Sequence, residues 1–243
     1  VKNSKQAWEQ EYAEKRLMTG DKPAKSFLRW TKWMSKQHKV EEDREISWRT
    51  DFWNKKWILD LGSGEGKNAF YLAGLGAKVN CVEIAQNAVE TTKNRAIQAN
   101  LDDIVTVQQG SIGEKYNFTD NSFDAVIDVT SSNSLSERER AVYLSESARV
   151  LKPGGHVFVR ALCKDGDDNA KYLIKNNPGP EKDTYVQPEW GLTERVFTES
   201  DIRELYGQYF EVLKLEKETH YTKLDGKKFK RNFWVMYLKN KTN

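Results

Sequence analysis

Two stretches of this sequence have residue types and spacings that can do chemistry. The first is Ile58-Leu59-Asp60-Leu61-Gly62-Ser63-Gly64-Glu65-Gly66, an apolar run leading into a turn with glycine at alternate positions. Glycine takes positive φ without steric penalty and lets a ligand lie against bare backbone. A helix starting near Lys67 would aim its free N–H groups at whatever fills that turn. The second stretch is Cys81-Val82-Glu83, an apolar run closed by a carboxylate. An acid at the end of the strand after a glycine turn can accept hydrogen bonds from two ribose hydroxyls. The competing reading of Glu83 is an ordinary acid at an exposed strand end. Together the two stretches predict a nucleotide-like pocket at the carboxyl ends of parallel strands.

Loop spacing discriminates among nucleotides. A phosphate-cradling P-loop has Lys-Ser or Lys-Thr after its last glycine, whereas this chain reads Gly66-Lys67-Asn68. A dinucleotide fingerprint reads Gly-x-Gly-x-x-Gly; this loop is Gly-x-Gly-x-Gly, with Asp60 just before it and Glu65 inside it. Two like charges at about 4 Å cost roughly 4 kcal/mol at an effective dielectric of 20, so these acids repel a pyrophosphate and favour a cationic ligand. An NAD-dependent oxidoreductase is disfavoured on the same ground.

The elements that must position these residues can be read from apolar periodicity. Strands are expected at 57–61, 78–82, 104–108, 123–129, 156–162, 210–215 and 232–238. Helices are expected at 67–75, 87–100, 136–151 and 199–208. Ser136 with Glu139 three residues later makes a capping box, and Pro153-Gly154-Gly155 is read as the stop of that helix. Alternation of short strands with helices predicts an α/β fold, a doubly wound and mostly parallel sheet. The segment 218–231 is too short for a crossover helix, so the last two strands are expected to pair antiparallel. Residues 163–190 read as a long loop, with a short helix at 169–175, bordering the site.

Residues 1–55 read as a helical cap or lid, followed by a catalytic domain over 56–243. With the boundary strand included, the N-terminal region carries six of the eight tryptophans: Trp8, Trp30, Trp33, Trp48, Trp53 and Trp57. Trp8 and Tyr12, four apart, share one helix face. The bland reading is a cap packed on the sheet edge; the functional one is a lid over the pocket.

Charge and composition bound the function classes. The chain has 243 residues, a net charge of +3, 38% hydrophobic and 31% charged residues, which is globular. Residues 1–58 carry 14 Lys/Arg against 9 Asp/Glu and residues 214–243 carry 9 against 3, so basic ends flank an acidic middle. Basic ends attract an anionic substrate or nucleic acid, or are plain solvated surface. No apolar run is long enough to span a bilayer, and no apolar segment follows a basic start as in a secretion signal. Two cysteines, Cys81 and Cys163, are too few for a disulfide framework or a zinc cluster, so a reducing, cytoplasmic setting is the default expectation.

With these residues in view, 57–238 resembles the Rossmann-like (class I) S-adenosylmethionine-dependent methyltransferases. Four motifs carry the resemblance in order: Asp60-Leu61-Gly62-Ser63-Gly64-Glu65-Gly66, then Glu83, then Phe123-Asp124, then Arg149-Val150-Leu151-Lys152-Pro153-Gly154-Gly155. The resemblance implies a seven-stranded sheet of order 3-2-1-4-5-7-6 with the last strand antiparallel. It implies S-adenosylmethionine as cofactor, S-adenosylhomocysteine as product, and a glycine loop (Asp60, Gly62, Ser63, Gly64, Gly66) against the methionine moiety. Glu83 and Ile84 would lie at the ribose, and Gly110, Ser111 and Ile112 at the adenine. Many members carry an acid where this chain has Ser111, and a hydroxyl accepts the adenine amino group less strongly. Asp128 and Val129, ending the fourth strand, would face cofactor and acceptor. Trp8 and Tyr12 are similar to aromatic residues in the N-terminal lids of small-molecule members.

Methyl transfer from a sulfonium is an in-line displacement, so the enzyme mainly aligns the reactants and excludes water. A general base helps when the nucleophile is protonated. Asp128 and His220 are the base candidates, with His220 read as lying just past the sixth strand. Arg160, near the end of the fifth strand, is the candidate partner for an anionic acceptor. Tyr185 and Trp190 are candidates to close over a substrate, or simply to pack. No cluster of histidine, cysteine and carboxylate has metal-ligand spacing. After the fourth strand the chain reads Asp128-Val129-Thr130-Ser131, unlike the Asn-Pro-Pro-Tyr or Asp-Pro-Pro-Tyr tetrapeptide of enzymes that methylate amino groups of nucleic acids. The expected function is methyl transfer to an oxygen, nitrogen or sulfur atom of a small molecule. The alternatives are an RNA or protein methyltransferase of the same fold, since mixed Trp and Lys can bind nucleic acid, or a non-catalytic cofactor-binding subunit.

Overall fold

The computed structural model describes residues 4–14, 22–37, 52–224 and 226–241. Trp48 and the unused His38 lie outside the described residues. Two helices, α1 (Ser4–Glu14) and α2 (Lys25–Gln37), precede the sheet. The chain then runs β1 (Trp57–Leu61), α3 (Lys67–Ala73), β2 (Lys78–Glu83), α4 (Gln86–Gln98), β3 (Val105–Gln109), β4 (Phe123–Val129) and α5 (Glu137–Val150). It continues through β5 (Leu151–Leu162), α6 (Asp168–Asn176), β6 (Thr184–Val186), β7 (Thr193–Arg195), α7 (Glu199–Gly207), β8 (Phe210–Leu224) and β9 (Lys227–Asn240).

Seven strands form one sheet in the order β3-β2-β1-β4-β5-β9-β8. Counting this sheet's strands alone, that is the expected 3-2-1-4-5-7-6. Strands β1 to β5 pair in parallel, and β9 runs antiparallel to both β5 and β8. The inner strands are covered on both faces, which is why they read as nearly unbroken apolar runs. Side chains alternate between faces: Leu59, Leu61, Val126, Val157 and Val159 pack toward one side with Tyr143 and Ile202. Ile58, Ala125, Ile127 and Phe158 pack toward the other with Phe27, Trp30 and Leu72. Strand order reverses at β1, flanked by β2 and β4, and there the carboxyl ends open a crevice.

Helix α2 packs on the face of the sheet, not on its edge. The ring of Phe27 lies 5.5 Å from that of Phe158, Trp30 lies 5.4 Å from Phe158, and Trp33 lies 5.1 Å from Tyr237. Each such buried side chain stabilises the fold by about 1.5–3 kcal/mol. Capping fixes where helices begin. Ser136 and Glu139 form the expected capping box on α5, and Thr198 with Asp201 forms a second one on α7.

Three expectations about element bounds need correction. β5 begins at Leu151, directly after α5, and Pro153-Gly154-Gly155 lies inside it. Phe123 pairs with Leu151, the register then slips, and Ala125 pairs with His156, so the Pro-Gly-Gly bulge absorbs the extra residues. The stretch 163–190 holds α6 and β6, and β6 pairs antiparallel with β7 as a small separate sheet. The expected short helix at 169–175 is α6, and the rest of the stretch is ordered by an apolar cluster in which Leu173 and Tyr185 meet Val196 and, from β9, Phe233, so only the remainder departs from the expected loop. Finally, β8 and β9 form a hairpin of 15 and 14 residues that swallows the segment 218–231. His220 therefore sits within β8 opposite Arg231, not after the strand. Among the described residues no helix is long and apolar enough to cross a membrane.

Candidate active site

The chain leaves β1 through three left-handed glycines, Gly62 (φ 68°), Gly64 (φ 57°) and Gly66 (φ 79°). Gly62 is also sterically required, because a Cβ there would come within 2.2 Å of Ser131 Oγ. That closeness ties the loop to the end of β4: the Ser131 hydroxyl donates to the Gly62 carbonyl at 3.1 Å. Gly66 starts α3 in the left-handed region, under Phe70 and Thr92.

Glu83 closes β2 and is 4% exposed. Its Oε2 accepts the Gly64 amide at 2.9 Å and its Oε1 accepts the Ala85 amide at 2.9 Å. Burial pushes its carboxyl up from the ordinary value, and those two amides oppose the shift. Carboxylate oxygens can accept more than one bond each, so Glu83 keeps acceptor capacity for a ligand's hydroxyls.

These residues border a cavity of about 290 Å³, near the lower end of the roughly 300–1,000 Å³ seen for small-ligand clefts. Gly62, Ser63, Gly64, Glu83, Ile84, Gly110, Ser111, Ile112 and Val129 line it, as do Trp8, Tyr12 and Arg160. Asn68 and Ser134 line it too, and their buried Oδ1 and Oγ atoms have no hydrogen-bond partner. Buried polar atoms are normally paired, so both side chains keep unused hydrogen-bonding capacity beside the cavity. Thr130, also in the lining, holds φ at 65°, a strained backbone for a β-branched residue. The Ser111 hydroxyl accepts the Gly113 amide at 3.1 Å.

Helix α1 is held over this cavity by a bond no sequence pattern announced. Helix α4 begins after Ala85, which has no capping side chain. Glu9 caps it from α1, accepting the Gln86 amide at 2.7 Å and the Asn87 amide at 3.4 Å. Trp8 then packs edge-on to Trp190 at 5.6 Å and lies 6.2 Å from the Tyr12 ring. Burial and the nearby Glu83 and Glu65 carboxylates raise the Tyr12 phenol well above its usual value, keeping it neutral.

Several candidates lie elsewhere. Asp60 and Asp128 are fully buried beneath the loop and do not line the cavity. Asp128 accepts the Ser131 amide at 2.8 Å and the Tyr143 hydroxyl at 3.0 Å, so its carboxylate braces the turn after β4 and is not free to take a substrate proton. Burial pushes the Asp60 carboxyl up to about 8, with the Asp128 and Glu83 charges adding to the shift. Gly66 serves the start of α3 and also lies outside the lining. His220 points its Nε2 to Glu218 at 3.5 Å and its ring to Phe233 at 5.7 Å, again outside the lining. Tyr185 is core, donating its hydroxyl to Glu194 at 3.0 Å, and Trp190 contributes only through Trp8. Arg160 lines the cavity with its Nε donated to Glu218 at 3.0 Å. Burial lowers its pKa, and the Glu218 carboxylate opposes that. Lining residues that the sequence did not single out include Lys22, Lys67, Asn68, Ser134 and Leu135. Of these, Asn68 was findable, since it sits in the first turn after the glycine loop.

Residues 59–159 match the family model described as a methyltransferase domain. This segment is similar to the methyltransferase domains of class I, Rossmann-like, S-adenosylmethionine-dependent enzymes. It is 33% identical over 130 residues to the ubiquinone/menaquinone biosynthesis C-methyltransferase of Brucella suis, a match covering 52% of this chain and 46% of that protein. Over 127 residues it is 37% identical to the glycine/sarcosine/dimethylglycine N-methyltransferase of Actinopolyspora halophila, covering 51% of this chain and 20% of that protein. The match therefore spans less than half the length of these curated relatives. Among solved structures, a 1,6-didemethyltoxoflavin-N1-methyltransferase of Burkholderia thailandensis, with bound 1,6-didemethyltoxoflavin and S-adenosylhomocysteine, has the same fold. It superposes with a TM-score of 0.65 at 16% identity, covering 98% of this chain and 87% of that one.

Proposed function

We propose that this protein transfers a methyl group from S-adenosylmethionine to a small-molecule acceptor. One observation carries the reading: the buried Glu83 carboxylate is bonded to the Gly64 amide while lining the same cavity as the left-handed glycine loop. The residues present fit the cofactor. Glu83 has acceptor capacity for the two ribose hydroxyls, Ile112 offers an apolar flank for adenine, and Ser111 a hydroxyl at its edge. Unpaired Asn68 Oδ1 and Ser134 Oγ can take polar groups of the ligand. The Glu83 carboxylate in the lining favours a cationic ligand over a pyrophosphate.

When bound, S-adenosylmethionine supplies an activated methyl group on a sulfonium. The chain's own part is alignment. Gly62 lets the loop press against β4, and Val129 and Thr130 form the floor on which an acceptor would meet the donor. Trp8, Tyr12 and Leu135 exclude water from one side. Among the described residues Asp128 is committed to Ser131 and Tyr143, His220 lies outside the lining, and the lining carboxylates Glu83 and Glu139 are bonded to Gly64 and Ala85 and to Ser136, so positioning carries most of the rate. The similar proteins include both a C- and an N-methyltransferase, so carbon joins oxygen, nitrogen and sulfur as an acceptor atom.

The test is a labelled-methyl transfer assay with purified protein and cell extract separated into metabolite, RNA and protein fractions. Label is expected in the metabolite fraction. Label confined to RNA or protein would replace this reading with the macromolecular one. Cofactor binding with no transfer to any fraction would leave a binding subunit.

A further inference from the structure

Resting on that cofactor reading, we propose that the acceptor carries an anionic group, a carboxylate or a phosphate, bound by Arg160. Arg160 sits on β5 directly opposite Val129, and its carbonyl accepts the Thr130 amide at 2.8 Å, so it stands beside the acceptor floor. Its side chain is only 13% exposed and lines the cavity. It is also held in place. Nε donates to Glu218 Oε2 at 3.0 Å, and the guanidinium carbon lies 3.5 Å from the Phe233 ring centroid. Glu218 is itself oriented by the Ser26 hydroxyl of α2 at 3.0 Å. Among the described residues the hydrogen bonds of Arg160 end at Nε, which leaves the two Nη groups for a ligand. A pre-oriented guanidinium fork matches the paired oxygens of a carboxylate or phosphate.

Around the Arg160–Glu218 pair the cations outnumber the acids. Arg29, Arg160 and Lys214 face Glu216 and Glu218, which leaves one cation over. Lys22 adds another in the lining. A sulfonium donor would bring yet another positive charge into the same cavity. An anionic acceptor offsets these charges, whereas a neutral or cationic one leaves them facing each other in a poorly solvated space.

The test uses the full chain saturated with S-adenosylhomocysteine and three probes of similar size, benzoate, phenyl phosphate and benzamide, titrated by calorimetry. At least one anion is expected to bind tenfold or more tightly than benzamide, and the tighter anion identifies the group. Arg160→Gln should abolish the preference. Glu218→Gln removes the competing carboxylate but keeps the cation, so it should strengthen anion binding at least twofold. Both variants should hold S-adenosylhomocysteine within twofold of the parent. Equal affinity for all three probes, or anion affinity falling in Glu218→Gln as it falls in Arg160→Gln, would overturn the proposal, because a merely structural tie weakens both variants alike. The second variant keeps the test decisive should Arg160→Gln not fold. Failure of the parent to bind S-adenosylhomocysteine would instead remove the cofactor reading beneath it.

Discussion

Glu83 and Asp128 stand at the carboxyl ends of β2 and β4, the two parallel strands that flank β1, and both are buried carboxylates that accept backbone amides just downstream. Their fates differ. Glu83 bonds across to the Gly64 amide of the glycine loop and lines the cavity. Asp128, one methylene shorter, turns under its own strand end to Ser131, Ser132 and Tyr143, and the cavity never reaches it. The same signal in sequence, an acid ending an inner strand, thus yields a cavity-lining carboxylate in one place and a brace in the other. What separates them is whether the carboxylate's remaining lone pairs are already occupied.

Three experiments break or sharpen that contrast. The largest effect is expected from Asp128→Ala, which orphans the buried Tyr143 hydroxyl and the amides of Ser131 and Ser132. Each unpaired buried group costs about 1–3 kcal/mol, so stability measured by urea denaturation should drop by about 3 kcal/mol. Cofactor affinity of the folded fraction should stay within a few-fold. A variant that kept its stability and lost only cofactor binding would put Asp128 in the site after all. Glu83→Ala should do the reverse, weakening S-adenosylmethionine binding by about 2 kcal/mol, roughly 30-fold, in calorimetry. Unchanged affinity there would undo the ribose assignment.

The third experiment reads a pH slope and concerns Asp60 on β1, the acid between them. An unfolded aspartate titrates near about 3.9, whereas burial and the charges of Asp128 and Glu83 hold the proton on folded Asp60 up to about 8. Between those pH values the native state binds more protons than the unfolded chain. The Asp60 contribution to stability therefore falls as pH rises and levels off above about 8. Asp60→Asn should remove up to about 1.4 kcal/mol per pH unit of that slope, seen as a flatter urea midpoint from pH 5 to 8. Parallel pH profiles for parent and variant would show that Asp60 ionises normally.

Much of the architecture was legible because the physics behind it is local. Strands β1 and β4 were read at their observed bounds because double-sided burial demands unbroken apolar runs. The Ser136–Glu139 box was legible because its partners are three residues apart. The reading failed where distant contacts decide. Pro153-Gly154-Gly155 reads as a helix stop, yet pairing with β4 makes it a bulge inside β5. Residues 163–190 lack strong periodicity but are ordered by packing with β9. Glu9 capping α4 joins residues 77 positions apart, which no local pattern encodes.

For the site, the sequence alone determined the glycine loop and the acid of the next strand, because positive φ and a strand-ending carboxylate are constraints on residue type. Tertiary structure decided which acids face the ligand and which are consumed as braces. It also decided that α1 closes the pocket and that Arg160 arrives pre-oriented by a carboxylate 58 residues away. Those outcomes depend on which donors a side chain meets in space, and that follows from how strands and helices stack, not from the order of residues along the chain.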